Sequence, residues 1–371
     1  MLKKIILSIM ILCLFLMGKA QQNDTKTVLF LIPFFGNQYH AENINAIESE
    51  TDIYNESAFS LVSFWEGAKL ALDEYESGEN RINVIVRDVT NDNGKLLSIM
   101  EDKELMGRVD LIIGPFFARQ FEVVASYAKK YQIPIVNPFT TKKSIVNGNE
   151  LVYKVFPAHE AMPEKIFAKG WTNQPVFFWT ESDKWTADMQ IFKDYFDAHN
   201  VNYEKVSVNT NIIDKLKSHT HSLVLVSIQS EAMVIAKMRQ LGIHENNVDA
   251  TLIIPQEWLD INELEVDYLN KLNVHFFSNW FVDENSDAYV VFMDRFSQKY
   301  NSNPDLKRFT FQGYDITKYF VELMLHDFEQ SKVNYVPVSM QFNFKKVDQG
   351  GFENTGVFLM QLQDYQIKPT E

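Results

Sequence analysis

Short apolar runs alternate with amphipathic stretches along most of the chain. Thr27 to Phe35 reads as a strand, and Ile82 to Val86 as the next. Val109 to Ile113 and Ile133 to Val136 complete a first set of four. Between them, Leu61, Trp65, Ala68 and Leu72 recur at helical spacing, which predicts a helix over 58–75. Further helices are expected over 95–105 and 119–131. After a strand at Leu151 to Phe156 the rhythm restarts, with strands at 176–179, 203–208, 222–227, 251–254 and 274–278. Helices are expected over 186–199, 231–241, 287–300 and 309–329. This alternation predicts parallel sheets wrapped by helices. The tail changes character. Ser339 to Lys345 and Gly356 to Leu362 alternate around Gln349-Gly350-Gly351, which predicts a hairpin ending.

The first twenty residues break the pattern. Lys3 and Lys4 precede an apolar run from Ile5 to Met17, and Gly18-Lys19-Ala20 offers small residues where a signal peptidase reads. Cleavage after Ala20 is expected; the other reading is an uncleaved anchor. Cys13 is the sole cysteine and lies inside the run behind Leu12, so no lipid anchor is expected. Export without thiols points to a periplasmic location. Losing Lys3, Lys4 and Lys19 moves the net charge from −14 to −17. Such a surface repels phosphate backbones, so nucleic acid is not an expected partner. The 371 residues exceed what one core organises, and no Pro/Gly-rich linker interrupts them, so two interleaved lobes are expected.

Phrases at the strand ends carry a resemblance. Phe64-Trp-Glu-Gly-Ala-Lys-Leu-Ala-Leu-Asp, Asp110-Leu-Ile-Ile-Gly-Pro, Ile133-Pro-Ile-Val-Asn-Pro, Phe311-Gln-Gly-Tyr-Asp-Ile and Phe344-Lys-Lys-Val-Asp-Gln-Gly-Gly-Phe-Glu-Asn occur in order. Together they resemble the type I periplasmic solute-binding proteins, the family of the branched-chain amino acid receptors of ABC transporters. The resemblance implies an α/β fold of two doubly wound parallel-sheet lobes, joined by three hinge crossings near Phe156, Trp280 and Asn334. It divides the chain into 1–20 (signal peptide), 21–156 and 280–333 (first lobe), and 157–279 and 334–371 (second lobe). It also implies a monomer that captures a small polar solute, an amino acid or short peptide, and presents it to a permease. The alternative is an envelope receptor or scaffold of the same fold, without a transporter and associated with the cell wall.

The same resemblance implies the site. Relatives place a hydroxyl a few residues after the glycine of Gly114-Pro-Phe-Phe-Ala-Arg; here Ala118 stands there, and Arg119 either supplies charge through its fork or only faces solvent. Phe139, Thr140 and Thr141 follow Asn137-Pro138 and either contact ligand or cap a helix. Phe59 and Ser60 align with the wall of the pocket. In the second lobe the alignment reaches Lys184-Trp185, Gln229 and Gln256-Glu257, with Glu257 either meeting a ligand ammonium or lying on a surface loop. Enzyme signals are weak. His219-Thr-His221 has the strand spacing of a metal pair but no third ligand, and neither a Gly-x-Ser-x-Gly nor a His-Glu-x-x-His run occurs. No metal or cofactor is expected.

Overall fold

The computed structural model describes residues 25–34, 57–76, 81–89, 93–244, 249–305 and 307–370, with 57–60 described in backbone only. The expected signal segment and Phe35, the end of the expected first strand, lie outside the described residues. In chain order the elements are β1 (Lys26–Ile32), α1 (Ser57–Leu72), β2 (Ile82–Asp88), α2 (Asn93–Glu101), α3 (Lys103–Met106), β3 (Leu111–Ile113), α4 (Ala118–Tyr131), β4 (Ile135–Asn137) and β5 (Val152–Lys154). There follow α5 (Ala161–Ala168), β6 (Val176–Thr180), α6 (Ala187–Ala198), β7 (Tyr203–Ser207), α7 (Ile212–Leu216), β8 (Ser222–Ser227), α8 (Glu231–Ile243), β9 (Ala250–Ile253), α9 (Val266–Lys271) and β10 (Asn273–Ser278). The chain ends with α10 (Asp287–Tyr300), α11 (Lys307–Leu325), β11 (Phe344–Lys346), β12 (Phe352–Asn354), β13 (Phe358–Gln363) and β14 (Gln366–Pro369).

The strands form two sheets in which parallel pairing dominates, and the chain folds into two compact units. One unit comprises the chain up to Pro138 together with Val291–Val336; the other comprises Phe139–Val290 and Pro337–Glu371.

In the first unit the strand order is β4-β3-β1-β2, all parallel. Val28 to Ile32 have no exposed surface, as a central strand covered on both faces requires. The order reverses between β1 and β3, so the loops after those strands meet where open α/β sheets bind ligands. Helices α1 and α11 cross at backbone contact. A Cβ at Gly67 would run into the Thr310 carbonyl, and one at Gly313 into the Phe64 carbonyl. Around this crossing, Glu74 takes ion pairs from Arg295 and Lys318 and a 2.8 Å hydrogen bond from the Tyr314 hydroxyl. Although its burial favours protonation, these donors hold the Glu74 carboxyl below its ordinary range.

In the second unit a seven-stranded sheet has the order β14-β13-β10-β9-β8-β6-β7. Its strands read as near-continuous apolar runs because both faces are buried. Phe177, Trp179, Val224, Val226 and Phe276 pack with α7, α8 and α9. The alternate residues Val176, Phe178, Leu223 and Leu225 pack with α5 and α6. The unit is therefore doubly wound, as expected. In the same unit β5 pairs parallel with β12, and β12 antiparallel with β11.

Two local expectations are corrected. The 95–105 helix is two helices, because the Asp102 carboxylate accepts the Leu105 amide at 3.0 Å and caps a new start. The tail is two hairpins instead of one: β11 pairs with β12, while β13 pairs with β14 and with β10. Asn354 makes the division. Its carboxamide bonds the Gln341 and Val155 carbonyls and the Asn343 and Gly356 amides, ending β12 before β13 begins. His219 and His221 lie outside the strands. His221 Nδ1 faces Asp249, and among the described residues no cluster suited to a metal forms. Among these residues, also, no helix is long and apolar enough to cross a membrane.

His275 on β10 gives the second unit an acid sensitivity. Its ring is 2% exposed and meets Trp171 edge-on at 4.9 Å. Burial pushes its pKa down from 6.5 to about 4. Between those values the unfolded chain binds a proton that the folded chain refuses. The stabilisation is full above pH 6.5 and is lost as pH falls toward 4, by about 3 kcal/mol. Urea unfolding at pH 4.5 and 7 should show this loss, and His275→Gln should remove most of it.

Candidate ligand-binding site

In the first unit, the loop after β3 is held open by glycine. Gly114 has φ +98°, and a Cβ there would strike the Leu31 carbonyl near the end of β1. Asn137, fully buried at the end of β4, donates its amide to the Pro115 and Phe116 carbonyls at 3.0 and 3.2 Å. The loop then enters α4 at Ala118, with Phe117 as N-cap and 44% exposed. Ala118 is half-buried and Arg119 exposed. At the end of β2, Asp88 accepts the Phe34 amide at 3.0 Å and fixes the exit of β1. Phe59 and Ser60 fall on the first turn of α1, whose side chains are outside the description.

In the second unit the strand ends frame a cavity of about 270 Å³. Its floor and walls are Phe156 and Pro157 after β5, Met162 on α5, Met189 and Phe192 on α6, Ile253 on β9 and Phe277 on β10. Polar groups come from His159, Asp188, Gln256, Glu257, Ser278 and Asn279. Asp188 and Glu257 are exposed and therefore stand at the rim. The wall at Phe156 is tied from behind. Lys154, whose side chain is 1% exposed, donates its ammonium to the Phe156 carbonyl at 2.8 Å and to the Pro157 carbonyl at 3.4 Å. Glu353, its neighbour across the β5–β12 ladder, lies 3.6 Å away as an ion pair.

Of the sequence-derived residues, Gln256 and Glu257 reach this cavity, on a short 3₁₀ turn after Pro255. Trp185 does not line it. Its ring packs edge-on to Phe178 at 5.0 Å, and the Lys205 ammonium lies 4.4 Å from the ring centre. Gln229 is exposed at the end of β8, where its amide and that of Ser230 donate to the Glu181 carboxylate, both at 2.9 Å. That carboxylate already occupies the N-terminus of α8, the place where the reversal of strand order would seat an anion. Phe139 and Thr140 are half-buried and Thr141 is exposed; Thr140 Oγ1 accepts the Lys142 amide at 3.2 Å. The sequence reading missed Asp188 and Met189. The available signal was Thr186, an N-cap whose hydroxyl accepts the Met189 amide and directs the first turn of α6 to the cavity.

Residues 56–333 match the family model of the periplasmic binding proteins. The chain belongs to that family. Membership places it among binding proteins, not enzymes. No curated protein matches the sequence. Among solved structures, the fold is similar to a Rhodospirillum rubrum protein assigned to branched-chain amino acid ABC transport, at 13% identity and TM-score 0.63, covering 93% of this chain and 100% of that one. It is similar to a branched-chain amino acid ABC transporter periplasmic ligand-binding protein of Burkholderia xenovorans, at 12% identity and TM-score 0.54, over 94% and 95% of the two chains. An ABC transporter substrate-binding protein of Desulfitobacterium hafniense in complex with Leu matches at 12% identity and TM-score 0.50, over 93% and 100%. At these identities the likeness concerns the fold.

Proposed function

We propose that this family member is exported to the periplasm, captures a small polar solute and presents it to an ABC-type permease. An amino acid or short peptide is the solute class favoured. The observation carrying this reading is the second-unit cavity at the carboxyl ends of β9 and β10, with Gln256 and Glu257 on its edge. The family match supports capture, and the Leu complex of the Desulfitobacterium protein supports an amino acid. Ser60, Ala118, Arg119 and Thr141 are the contacts proposed from the first-helix phrase and the loops after β3 and β4. The crossings near Phe156, Trp280 and Asn334 are proposed to let ligand contacts drive closure.

The test is a thermal-shift screen on protein purified from the envelope, whose N-terminus should read Gln21. A solute that binds the folded state alone raises the melting temperature by mass action, equivalent to about 2.7 kcal/mol at a hundredfold excess over Kd. Amino acids and short peptides should produce such shifts. An intact Met1 overturns export. Shifts from cell-wall fragments alone favour the envelope receptor over the transport component.

A further inference from the structure

We propose that the second-unit cavity takes an organic cation: an aryl-sized apolar body seated among Phe156, Phe192 and Phe277, with an ammonium group held at the rim by Asp188 and Glu257. The inference rests on the ligand-binding reading above and takes the small polar solute to be an aryl-bearing amine in place of the amino acid or peptide favoured there.

Size comes first. A dry cavity of about 150 Å³ is enough to hold benzene. The present one, at about 270 Å³, has room for a ring and a short arm. Its walls then restrict the body. Phenyl rings, two thioethers and Ile253 offer dispersion contact and ring edges but no hydrogen-bond partners. Hydroxyls seated against this part of the wall would go unpaired, at a cost of about 1–3 kcal/mol each, which favours an apolar body there. The polar lining is confined to His159, Asp188, Gln256, Glu257, Asn279 and Ser278, and the Ser278 hydroxyl is committed to the Trp280 carbonyl at 2.7 Å.

Charge decides the remainder. Among the described residues lining the cavity there are two carboxylates and no lysine or arginine; His159 is the one other titratable side chain. The N-terminus of α6 would by itself favour an anion, but Asp188 in its first turn offsets that field. Behind the wall, the Lys154 ammonium is paired with Glu353 and the Lys165 ammonium bonds the Val357 carbonyl, so at the rim an anionic ligand would face two like charges. An ammonium at the same rim gains charge-assisted hydrogen bonds to both carboxylates and lies within reach of the ring faces below.

Calorimetry with phenethylamine, and with phenylacetate as a probe of similar shape and opposite charge, tests this directly. Phenethylamine should bind the mature protein, and phenylacetate should not. Asp188→Asn and Glu257→Gln should each weaken phenethylamine binding about tenfold, the scale of one hydrogen bond to a charged group. Both residues are exposed, so the variants should melt like the parent without ligand. Equal binding of phenylacetate, absent binding of phenethylamine, or unchanged affinity in both variants overturns the inference. If leucine or a peptide stabilises the protein and the amine does not, the cation assignment falls and the ligand-binding reading stands. If no solute in the wider screen binds, both fall.

Discussion

Replacing Gly313 with valine should prevent α11 from seating on α1 and destabilise the protein by at least about 4 kcal/mol. Helix propensity alone predicts the opposite sign, since glycine in a helix interior costs about 1 kcal/mol relative to alanine. Sterics decide. The added carbon meets a main-chain carbonyl, that of Phe64, which cannot swing aside as a flexible side-chain end can. Gly67 faces the Thr310 carbonyl reciprocally, so Gly67→Ala should also be severe. Gly148, at φ +67° with open space around its Cβ position, is the control. Gly148→Asn should cost no more than about 1 kcal/mol, because asparagine tolerates that backbone region. Urea unfolding measures all three. A Gly313→Val protein with the parent midpoint would sink the account of the helix crossing.

The second large effect is expected at Lys154. Lys154→Met removes the ammonium that serves the Glu353 carboxylate and the Phe156 and Pro157 carbonyls. Stranding a buried carboxylate costs about 3 kcal/mol or more, far above the worth of a surface pair such as Lys346–Glu150. A pH readout separates this from a loss of packing. Burial pushes the Lys154 pKa below 10.5, against the pull of Glu353. In the window between that lowered value and 10.5, the unfolded chain binds the proton more readily, so this residue makes stability rise with pH. Lys154→Met should lose that rise. Because the same ammonium holds the wall at Phe156, the variant should also weaken any ligand seated in the cavity. Unchanged stability in Lys154→Met would show that the pair is not an internal tie.

Some of the site was visible in the chain. Pro255-Gln-Glu follows an apolar run, and a strand end in a parallel sheet is where ligands bind, so the sequence pattern alone points to Gln256 and Glu257, and both line the second-unit cavity. Trp185 precedes the cavity-lining Asp188 and Met189 by a few residues and does not itself line the cavity. Sequence pattern shows a ring near a helix start, but not that the ring is taken up by Phe178 and Lys205. Asp188 and Met189 escaped because what brings them to the cavity is the direction of α6, set by its cap at Thr186 and its packing on the sheet.

The alternation of strands with the longer helices followed from the sequence itself, because apolar period and turn residues are local properties and both faces of these sheets are buried, whereas the short helices α5, α7 and α9 were not expected. Gly67 and Gly313 were likewise legible as parts of the phrases that carry the family resemblance, though not as partners. Their meeting depends on two helices separated by most of the chain, as does the Lys154–Glu353 pair across β5 and β12. The division of the tail into two hairpins also waited for the fold, since alternation marks a strand without naming its neighbour. Only tertiary structure decided these features, because each is a choice among distant partners that local sequence leaves equivalent.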